Sequence, residues 1–473
     1  PEDKRINFVI EMGSDHSSSK PRLVIVSNRL PLSVEQKNDI FEVTQSSGGL
    51  VSALRGLKAA DYVWLGWPGV AVNEGDMEIV DTALAKENAA AIYLDDGLAK
   101  DHYNGFSRVV MNPDAWEAYR RVNELFADRV IQEARDGDLI WVHDYHLFLL
   151  PQMLRDRLHV QKKRCLIGFS LHTPFPVDDF WRGLPVQEDL LRGILGSDVI
   201  GFHTDEYRKN FVTACDILLD SVQLKDDQIQ INDRIVKTGK YVVGIDYERF
   251  ATAISDDKVK SRIKELESLY KGKTVIIGVD RMDYTKGLPE KMEGFRVFLD
   301  EHPELSDKVI LIQIAVPSRE DVKKYQDLEG EVSKRVGQII GKHASPHSTP
   351  LLYIHRSVSF EDLTALYSIS DVCLLTSRRD GMNLVASEFV ACQKVRHGVL
   401  VLSEFTGAAS FLNTGSILCN PSSAEGVSAA LYRAVTMGQE ERRKNYEELR
   451  DFVTTHTSEK WSEAFLDELL QLR

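Results

Sequence analysis

The chain has 473 residues, of which 43% are hydrophobic and 27% are charged, and its formal net charge is −14. This length favours two domains of ordinary size over a single core, and the composition is typical of a globular protein. The negative charge argues against a nucleic-acid-binding or anionic-membrane surface, although a local group of cations could still hold an anionic substrate. No apolar run reaches membrane-spanning length, and the N-terminus lacks the apolar core of a signal peptide.

Cysteine usage indicates the compartment. The five cysteines include no C-x-x-C pair and lie mostly in apolar segments: Cys165, Cys215, Cys373, Cys392 and Cys419. This pattern is typical of reduced structural thiols and predicts a cytoplasmic protein. No His, Cys or Glu spacing of a metal site occurs, so no metal is predicted. The absence of a Walker sequence and of G-x-G-x-x-G disfavours ATP and NAD folds.

The first half of the chain alternates strand and helix patterns. Residues 1–21 are polar and predict a flexible arm. The all-apolar run at 23–26 is typical of a central parallel strand and leads to Arg29. Gly48-Gly49 precedes a helical pattern and, alone, fits a plain loop as well as a ligand approach. Further strands are predicted at 63–66, 91–94, 139–142, 165–171 and 198–202, with helices at 116–132 and from Leu147.

Three of these strands deliver polar side chains in the same way. They are followed by His143-Asp144, by His172 and by His203. Because the carboxyl ends of parallel strands meet at the edge where α/β proteins bind ligands, these side chains should lie close together. One such histidine is more often structural, but three together predict a site.

The second half repeats this alternation. A hairpin is predicted at 228–236 and a domain boundary near Gly244. Helices at 258–270 and 360–369 accompany strands at 275–279, 309–314, 351–354, 372–375 and 399–402. The pattern predicts a second parallel sheet. A terminal helical stripe of Trp461, Phe465 and Leu469 follows the last strand and must bury its apolar face on an existing surface.

Arg281 and Lys286 form the most specific chemical cue, because they lie five positions apart between a strand and a helix. A guanidinium fork and a point charge so placed can clamp a diphosphate, although two solvated surface cations are a common alternative. Substitution of either by alanine is expected to abolish turnover and leave folding intact. Arg29 and Arg319, at strand ends of the two halves, could converge on a second anion such as a phosphomonoester.

Carboxylates suited to sugar hydroxyls complete the candidate site. Asp380 lies in a charged loop, with Arg378 and Arg379, between the predicted strand at 372–375 and a helix. The N-terminus of that helix favours an anion, and Glu388 lies on a later turn. Asp144 supplies the corresponding carboxylate in the first half.

Eight segments carry a family resemblance, in the same order along the chain: Ser27-Asn-Arg-Leu-Pro31, Trp64-Leu-Gly-Trp-Pro68, His102-Tyr-Asn-Gly-Phe-Ser107, Trp141-Val-His-Asp-Tyr-His-Leu147, Leu171-His-Thr-Pro-Phe-Pro176, Gly201-Phe-His-Thr204, Val279-Asp-Arg-Met-Asp-Tyr-Thr-Lys-Gly-Leu288 and Arg379-Asp-Gly-Met-Asn-Leu-Val385. The chain resembles the trehalose-6-phosphate synthases of glycosyltransferase family 20, and its variant is similar to eukaryotic, fungal members. The resemblance implies the α/β GT-B fold, in which two Rossmann-like doubly wound parallel-sheet domains face each other across a cleft.

The resemblance also implies the domain limits. An acceptor domain at 22–243 and a nucleotide-sugar domain at 244–454 would be followed by a helix at 455–473 that crosses back to the first domain. The implied reaction is glucosyl transfer from UDP-glucose to glucose 6-phosphate, giving α,α-trehalose 6-phosphate and UDP. Configuration would be retained without a covalent glycosyl-enzyme, unlike in retaining glycosidases. No cofactor is implied. The expected partners are the two substrates, a second copy of the chain and a separate trehalose-6-phosphate phosphatase.

Site residues are carried over position by position from the resemblance. Those implied to be catalytic are His172, Asp144, Arg281 and Lys286. Those implied to bind the donor are Gly49, His172, Arg281, Lys286, Asp380, Gly381, Met382, Asn383, Leu384, Val385 and Glu388. Those implied to bind the acceptor are Arg29, Tyr103, Asp144 and Arg319.

The sequence departs from the family pattern on the acceptor side. After Ser107 the family's aromatic stretch with Leu-Trp-Pro has no counterpart, and Val177-Asp-Asp-Phe-Trp-Arg182 replaces the usual Ser-Ser-Glu-Ile-Tyr-Arg. The acceptor is therefore less determined than the donor. A related transferase with another phosphorylated acceptor or nucleotide, and a non-catalytic regulatory subunit, remain alternatives.

Overall fold

The computed structural model describes residues 21–37, 40–45, 54, 61–105, 113–318 and 322–473. Its strands are β1 (Leu23–Arg29), β2 (Leu32–Lys37), β3 (Ile40–Gln45), β4 (Tyr62–Trp67), β5 (Ala89–Ala91), β6 (Leu139–His143), β7 (Leu166–Ser170), β8 (Val199–Phe202), β9 (Val222–Lys225), β10 (Gln228–Ile231), β11 (Arg234–Lys240), β12 (Thr274–Arg281), β13 (Val309–Val316), β14 (Leu351–Ile354), β15 (Val372–Leu375), β16 (Val399–Ser403) and β17 (Ser416–Cys419).

The helices alternate with these strands. They are α1 (Met77–Ala85), α2 (Asp96–Gly105), α3 (Pro113–Glu133), α4 (Leu150–Gln161), α5 (Asp178–Arg182), α6 (Gln187–Ile194), α7 (Asp205–Leu218), α8 (Tyr247–Ala253), α9 (Asp257–Leu269), α10 (Leu288–Glu301), α11 (Lys323–His343), α12 (Phe360–Ile369), α13 (Leu384–Ala391), α14 (Ala409–Leu412), α15 (Ala424–Thr436), α16 (Gln439–Thr455) and α17 (Ser458–Leu470). Short 3-10 turns occur at Glu74–Asp76, Tyr145–Leu147, Tyr284–Lys286 and Pro303–Leu305. None of the described helices is long and apolar enough to cross a membrane.

The first sheet has the strand order β5-β4-β1-β6-β7-β8-β11-β10-β9. It is parallel from β5 to β11 and ends in the antiparallel strands β10 and β9. The hairpin predicted at 228–236 is confirmed as β10 and β11, and Asn232 supports its turn with a φ of 52°. Strand β9, which was not predicted, adds a third member.

The second sheet has the order β14-β13-β12-β15-β16-β17 and is parallel throughout. Parallel sheets have helices on both faces, so their strands are buried on both sides. Strand β13 fits this rule, because seven of its eight residues are buried. All five strands predicted in this half are present. The predicted boundary near Gly244 falls in the segment between β11 and α8.

Two predicted elements of the first half were displaced. The strand predicted at 91–94 instead occupies Ala89–Ala91, because these residues pair with β4 and the amide of Ile92 donates the last hydrogen bond to Gly66. The helix predicted from Leu147 begins at Leu150. Asp144, with a φ of 73°, redirects the chain into a 3-10 turn first.

The C-terminal helix α17 crosses back to the first sheet, as the family resemblance implied. The ring of Phe465 stacks on Trp141 of β6 at 4.6 Å between centroids. Gly168 and Gly201 leave room for that ring, since a Cβ at either position would crowd it. One buried apolar cluster therefore runs from Trp141 through Phe465 to Ile277 of the second sheet. This cluster spans both halves, and two further buried clusters are confined to one half each.

Candidate active site at the facing sheet edges

The carboxyl ends of the first sheet's central strands form one edge. In the register of β1, β6 and β7, Ser27 lies opposite His143, and His143 opposite Ser170. Because these three residues are paired across neighbouring strands, the residues that follow each of them lie at the same edge of the sheet. The predicted gathering of His143-Asp144, His172 and His203 at this edge is confirmed.

The three histidines contact one another in a row. Nδ1 of His143 lies 3.1 Å from Nε2 of His172, and Nδ1 of His172 lies 3.2 Å from Nε2 of His203. Burial is the main reason that the pKa of each ring lies below its ordinary value, at about 3 for His143 and about 4 for His203. All three imidazoles are therefore neutral at physiological pH.

Asp144 occupies an unusual backbone conformation beside this row. Its φ of 73° is uncommon for a residue other than glycine, and such strain is concentrated at functional sites. One carboxylate oxygen accepts the backbone N–H of His172 at 3.2 Å. Burial raises the pKa of Asp144 to about 6, while this hydrogen bond and the positive charge of Arg281 act in the opposite direction. A charge from the second half thus acts on a carboxylate of the first.

The two cations of the predicted clamp differ in their surroundings. Arg281, at the end of β12, has a side chain that is 60% exposed, and its nearest carboxylate is Asp283 at 3.9 Å. Lys286 is only 16% exposed and forms an ion pair with Asp380 at 2.6 Å. Arg281 is therefore available to an anionic ligand, whereas Lys286 already has a partner.

Asp380 is held by several contacts. Burial alone would raise the pKa of its carboxyl, but the Lys286 ammonium, the Asn383 amide and the charge of Arg281 keep it below the ordinary value. Asn383, in a left-handed conformation with φ 56°, also caps α13 through Ala386. These contacts hold the loop between β15 and α13 from both ends.

The same loop contacts the first half. A Cβ at position 381 would clash with the carbonyl oxygen of His172, so only glycine allows this approach. The hydroxyl of Tyr207, in α7, donates to the carbonyl of Asp380 at 3.3 Å. These contacts bring the edges of the two sheets together around His172.

Glu388 lies deeper in the second half, on α13. The hydroxyl of Tyr367 donates to its carboxylate at 3.0 Å. Burial raises the pKa of Glu388, and the Tyr367 hydrogen bond and Arg249 oppose that rise. Met382 is buried, and Leu384 and Val385 pack against the core, so their side chains shape the loop and do not project freely.

On the acceptor side, Arg29 lies at the end of β1 and is exposed. Its guanidinium lies over the ring of Trp67 at 5.2 Å and against Gly69. Three other predicted site features, Gly49, Arg319 and the side chain of Tyr103, lie outside the described residues. Within the described ranges no group of three or more His, Cys, Asp or Glu side chains could hold a metal ion.

A buried ion pair lies beneath the clamp and was not predicted. Lys291 of α10 pairs with Asp280, the neighbour of Arg281, and both side chains are almost completely buried. The amide of Gln313 donates to the same carboxylate at 3.0 Å. Gly278 leaves room for this group, because a Cβ there would crowd both Gln313 and Lys291. The pair ties the strand that carries Arg281 to the helix that follows Lys286.

We expect Lys291→Met to destabilise the protein by about 4 kcal/mol, because it leaves the Asp280 carboxylate buried without its counter-charge. Urea unfolding followed by circular dichroism measures this loss. The double variant Lys291→Met, Asp280→Asn removes both charges and should recover most of the stability. Equal losses in the single and double variants would contradict the interpretation.

Two tyrosines that form hydrogen bonds with site residues from distant helices were also missed in the sequence analysis. Tyr207 and Tyr367 contact Asp380 and Glu388, respectively, through hydroxyl groups. No local sequence signal marks either tyrosine, since each lies within an ordinary helical pattern. His143 and His203 did carry a signal, their position after strands, but no role was assigned to them.

Comparison with known proteins agrees with this architecture. A family model described as Glycosyltransferase family 20 matches residues 21–471. The chain is 46% identical, over 470 residues, to alpha,alpha-trehalose-phosphate synthase [UDP-forming] 1 of Aspergillus niger, and the match covers 96% of this chain and 90% of the relative.

Two solved structures are similar along almost their whole length. The N-terminal domain of Candida albicans trehalose-6-phosphate phosphatase is 30% identical with a TM-score of 0.86, covering 97% of this chain and 98% of that one. A structure of trehalose-6-phosphate synthase, OtsA, is 33% identical with a TM-score of 0.83, covering 95% of this chain and 99% of that one.

Proposed function

The chain belongs to glycosyltransferase family 20, and we propose that its cleft transfers glucose from UDP-glucose to glucose 6-phosphate with retention of configuration. The products are α,α-trehalose 6-phosphate and UDP. The activity is that of an α,α-trehalose-phosphate synthase (UDP-forming), and the fold is GT-B. The observation that carries the proposal is the meeting of both sheet edges at His172, where Gly381 and Asp380 of the second half contact the first half beside the exposed Arg281.

We assign the donor to the second half. The diphosphate of UDP-glucose would bind Arg281 and Lys286, the ribose would bind Glu388, and the donor glucose would contact Asp380 and His172. The exposure of Arg281 supports this assignment, because its guanidinium can donate to a diphosphate while giving up at most a long ion pair, 3.9 Å from Asp283. For Lys286 a diphosphate would share or replace the Asp380 carboxylate as its counter-charge. Binding of the donor would then change the ion pair that holds the loop containing Asp380.

The acceptor is assigned to the first half. Arg29 would bind the phosphate of glucose 6-phosphate together with Arg319, and Asp144 and Tyr103 would contact the sugar. The position of Arg29 supports this role, since its exposed guanidinium lies at the same sheet edge as Asp144. The pKa of Asp144, about 6, leaves this carboxylate ionised above neutral pH and able to accept a hydroxyl proton in a hydrogen bond.

The proposed chemistry needs no covalent intermediate. The anomeric hydroxyl of glucose 6-phosphate would attack on the face from which UDP leaves, with a phosphate oxygen of UDP accepting its proton. The bond from C1 to the diphosphate breaks as the new glycosidic bond forms. The protein would hold both sugars in place and stabilise negative charge on the leaving diphosphate. Arg281 and Lys286 supply that stabilisation, so we assign no cofactor.

Three further statements remain predictions from the sequence. We propose a cytoplasmic location, consistent with five free cysteines that are all buried. We propose a homo-oligomer, and we propose that a separate phosphatase acts on the product. The domain limits at 22–243, 244–454 and 455–473 also remain proposals.

Product analysis tests the reaction and separates it from its alternatives. In parallel reactions, the protein and UDP-glucose are incubated with glucose 6-phosphate, with fructose 6-phosphate or with glycerol 3-phosphate. We expect UDP release in equal amount with α,α-trehalose 6-phosphate, seen by phosphorus and carbon NMR, only with glucose 6-phosphate. Product from another acceptor would favour the related transferase. Binding of UDP-glucose without any product would favour the regulatory subunit.

A further inference from the structure

We propose that His143 and His203 are positioning residues for the donor pocket, and that they act by fixing the ring of His172 in one neutral tautomer. This inference rests on the proposed function, because His172 is there assigned to the donor glucose. The three rings and one backbone carbonyl form a continuous chain of contacts, which is called the histidine relay below. It comprises His143, His172, His203 and the carbonyl of Tyr241.

The carbonyl end of the relay sets its direction. Nδ1 of His203 lies 3.1 Å from the carbonyl oxygen of Tyr241, and a carbonyl can only accept, so this nitrogen carries a proton. A neutral imidazole has one N–H, and therefore Nε2 of His203 is an acceptor. His172 Nδ1, at 3.2 Å from that acceptor, must in turn be the donor.

The same reasoning reaches the other end. With its proton on Nδ1, His172 presents Nε2 as an acceptor, and Nδ1 of His143 donates to it across 3.1 Å. All three rings thus carry their proton on Nδ1. An additional proton at either internal contact would place two donors face to face. Each ring can be neutral in this row, and only one arrangement of protons satisfies every contact.

The environment of the relay excludes charged alternatives. His143 and His203 are buried, and desolvation lowers the pKa of both. The charged groups that face the relay are Asp144, which accepts the backbone N–H of His172, and Asp380, whose charge acts on His203. Neither carboxylate contacts a ring nitrogen within hydrogen-bond distance among the described residues.

Aromatic side chains close the sides of the relay. Trp141 packs against His143 at 4.6 Å between ring centroids, and Trp461 of α17 lies 5.8 Å from His172. The helix that crosses back from the second half therefore forms one wall. Both ring nitrogens of His172 are occupied within the relay, so the ring cannot turn without losing two hydrogen bonds.

Fixing this ring also fixes the backbone that carries it. The N–H of His172 donates to Asp144, and its carbonyl oxygen lies against Gly381 of the donor loop. The relay thus orients His172, which contacts both Asp144, assigned to the sugar acceptor, and Gly381 in the loop assigned to the donor. Its free end is Nε2 of His143, a buried acceptor for which the described residues provide no partner. Buried polar groups without a partner are uncommon in native proteins, and a functional role is one of the explanations for them.

Substitution of the two histidines by asparagine or glutamine distinguishes a positioning role from a purely structural one. The amide of asparagine lies near the position of Nδ1 in histidine, and that of glutamine lies near Nε2. His143 contacts His172 through Nδ1, so His143→Asn should keep the contact and His143→Gln should lose it. His203 contacts His172 through Nε2, so His203→Gln should keep the contact and His203→Asn should lose it.

We expect kcat/KM for UDP-glucose to fall by about a hundredfold in His143→Gln and His203→Asn, because a shift of about 1 Å in a positioned group costs that much. His143→Asn and His203→Gln should remain within about fivefold of the unsubstituted protein, with all four melting temperatures compared. The same amide preferred at both positions would overturn the proposal. So would equal losses in all four variants at matched stability.

The tautomers are measured separately from activity. Nitrogen-15 NMR of the full chain labelled at histidine should show a protonated Nδ1 and an unprotonated Nε2 in all three rings between about pH 6 and pH 8. A proton on Nε2 of His172 would overturn the relay. If the relay is observed but no trehalose 6-phosphate is formed, the proposed function fails and the positioning role in that reaction fails with it.

Discussion

Replacing Arg281 by alanine is expected to lower kcat/KM for UDP-glucose by about a thousandfold, because one charge that stabilises the leaving diphosphate is lost. The free energy of unfolding should change by less than about 0.5 kcal/mol, since the side chain is 60% exposed and its ion pair with Asp283 is long, at 3.9 Å. Steady-state kinetics and urea unfolding measure the two quantities. Substitution of Arg356, which is also exposed, serves as a control for a general loss of positive charge.

Lys286→Ala should lower kcat/KM to a similar extent but should also destabilise the protein. The Asp380 side chain is only 14% exposed, and in the variant its carboxylate loses the ammonium partner. Leaving this charge unpaired costs about 3 kcal/mol. The sequence led us to expect intact folding for both variants, and the ion pair requires a different expectation for Lys286. Lys286→Met combined with Asp380→Asn should restore stability but not turnover. Near-normal turnover in both alanine variants would rule out the clamp.

Asp144→Asn is expected to reduce turnover by about a hundredfold and, at the same time, to stabilise the protein. Folding raises the pKa of this carboxyl from about 4 to about 6, so above pH 6 the folded state carries a buried charge that the unfolded state solvates freely. A shift of about two pKa units corresponds to about 3 kcal/mol at most. Asparagine removes this charge, and the backbone at φ 73° and ψ 169° is strained for both residues, so the exchange leaves that cost unchanged.

The pH dependence gives the sign of this effect. A carboxyl with a raised pKa in the folded state favours folding when protonated, and this advantage is lost as the pH rises through about 6. The gain in Asp144→Asn should therefore be largest at pH 7.5 and should shrink as the pH falls towards 4. Urea unfolding at pH 7.5 and 5 measures it. Asp220→Asn, at an exposed position, is the control and should change stability by less than about 0.5 kcal/mol. A destabilised Asp144→Asn at pH 7.5 would contradict the account.

The sequence predicted the ends of the strands better than the partners of the side chains. Apolar runs identify buried parallel strands, and the edge at which they end follows from their direction, so His143, His172 and Arg281 were placed correctly at sheet edges. The same reasoning could not tell that Arg281 is largely exposed and Lys286 is held in a close ion pair. Lys286 and Asp380 are 94 residues apart, and only the packing of β12 against β15 brings them together.

Other features required the tertiary structure for similar reasons. Lys291 has a helical pattern that fits a solvated face, yet the gap at Gly278 buries it against Asp280. The contacts among the histidines depend on strand register to within one residue, which a sequence pattern does not specify. The helix α11 (Lys323–His343) was not predicted at all. The site residues carried over from the family resemblance rest on the motifs alone and stay predictions.

A crystal structure of the full chain with UDP and glucose 6-phosphate tests the central claim, that cations at facing sheet edges bind the two phosphorylated ligands on either side of His172. We predict hydrogen bonds from Arg281 and Lys286 to the diphosphate of UDP, and from Arg29 to the sugar phosphate, with the two sugars meeting beside Asp144. A nucleotide bound away from Arg281 and Lys286, in crystals whose protein still forms trehalose 6-phosphate, would contradict it.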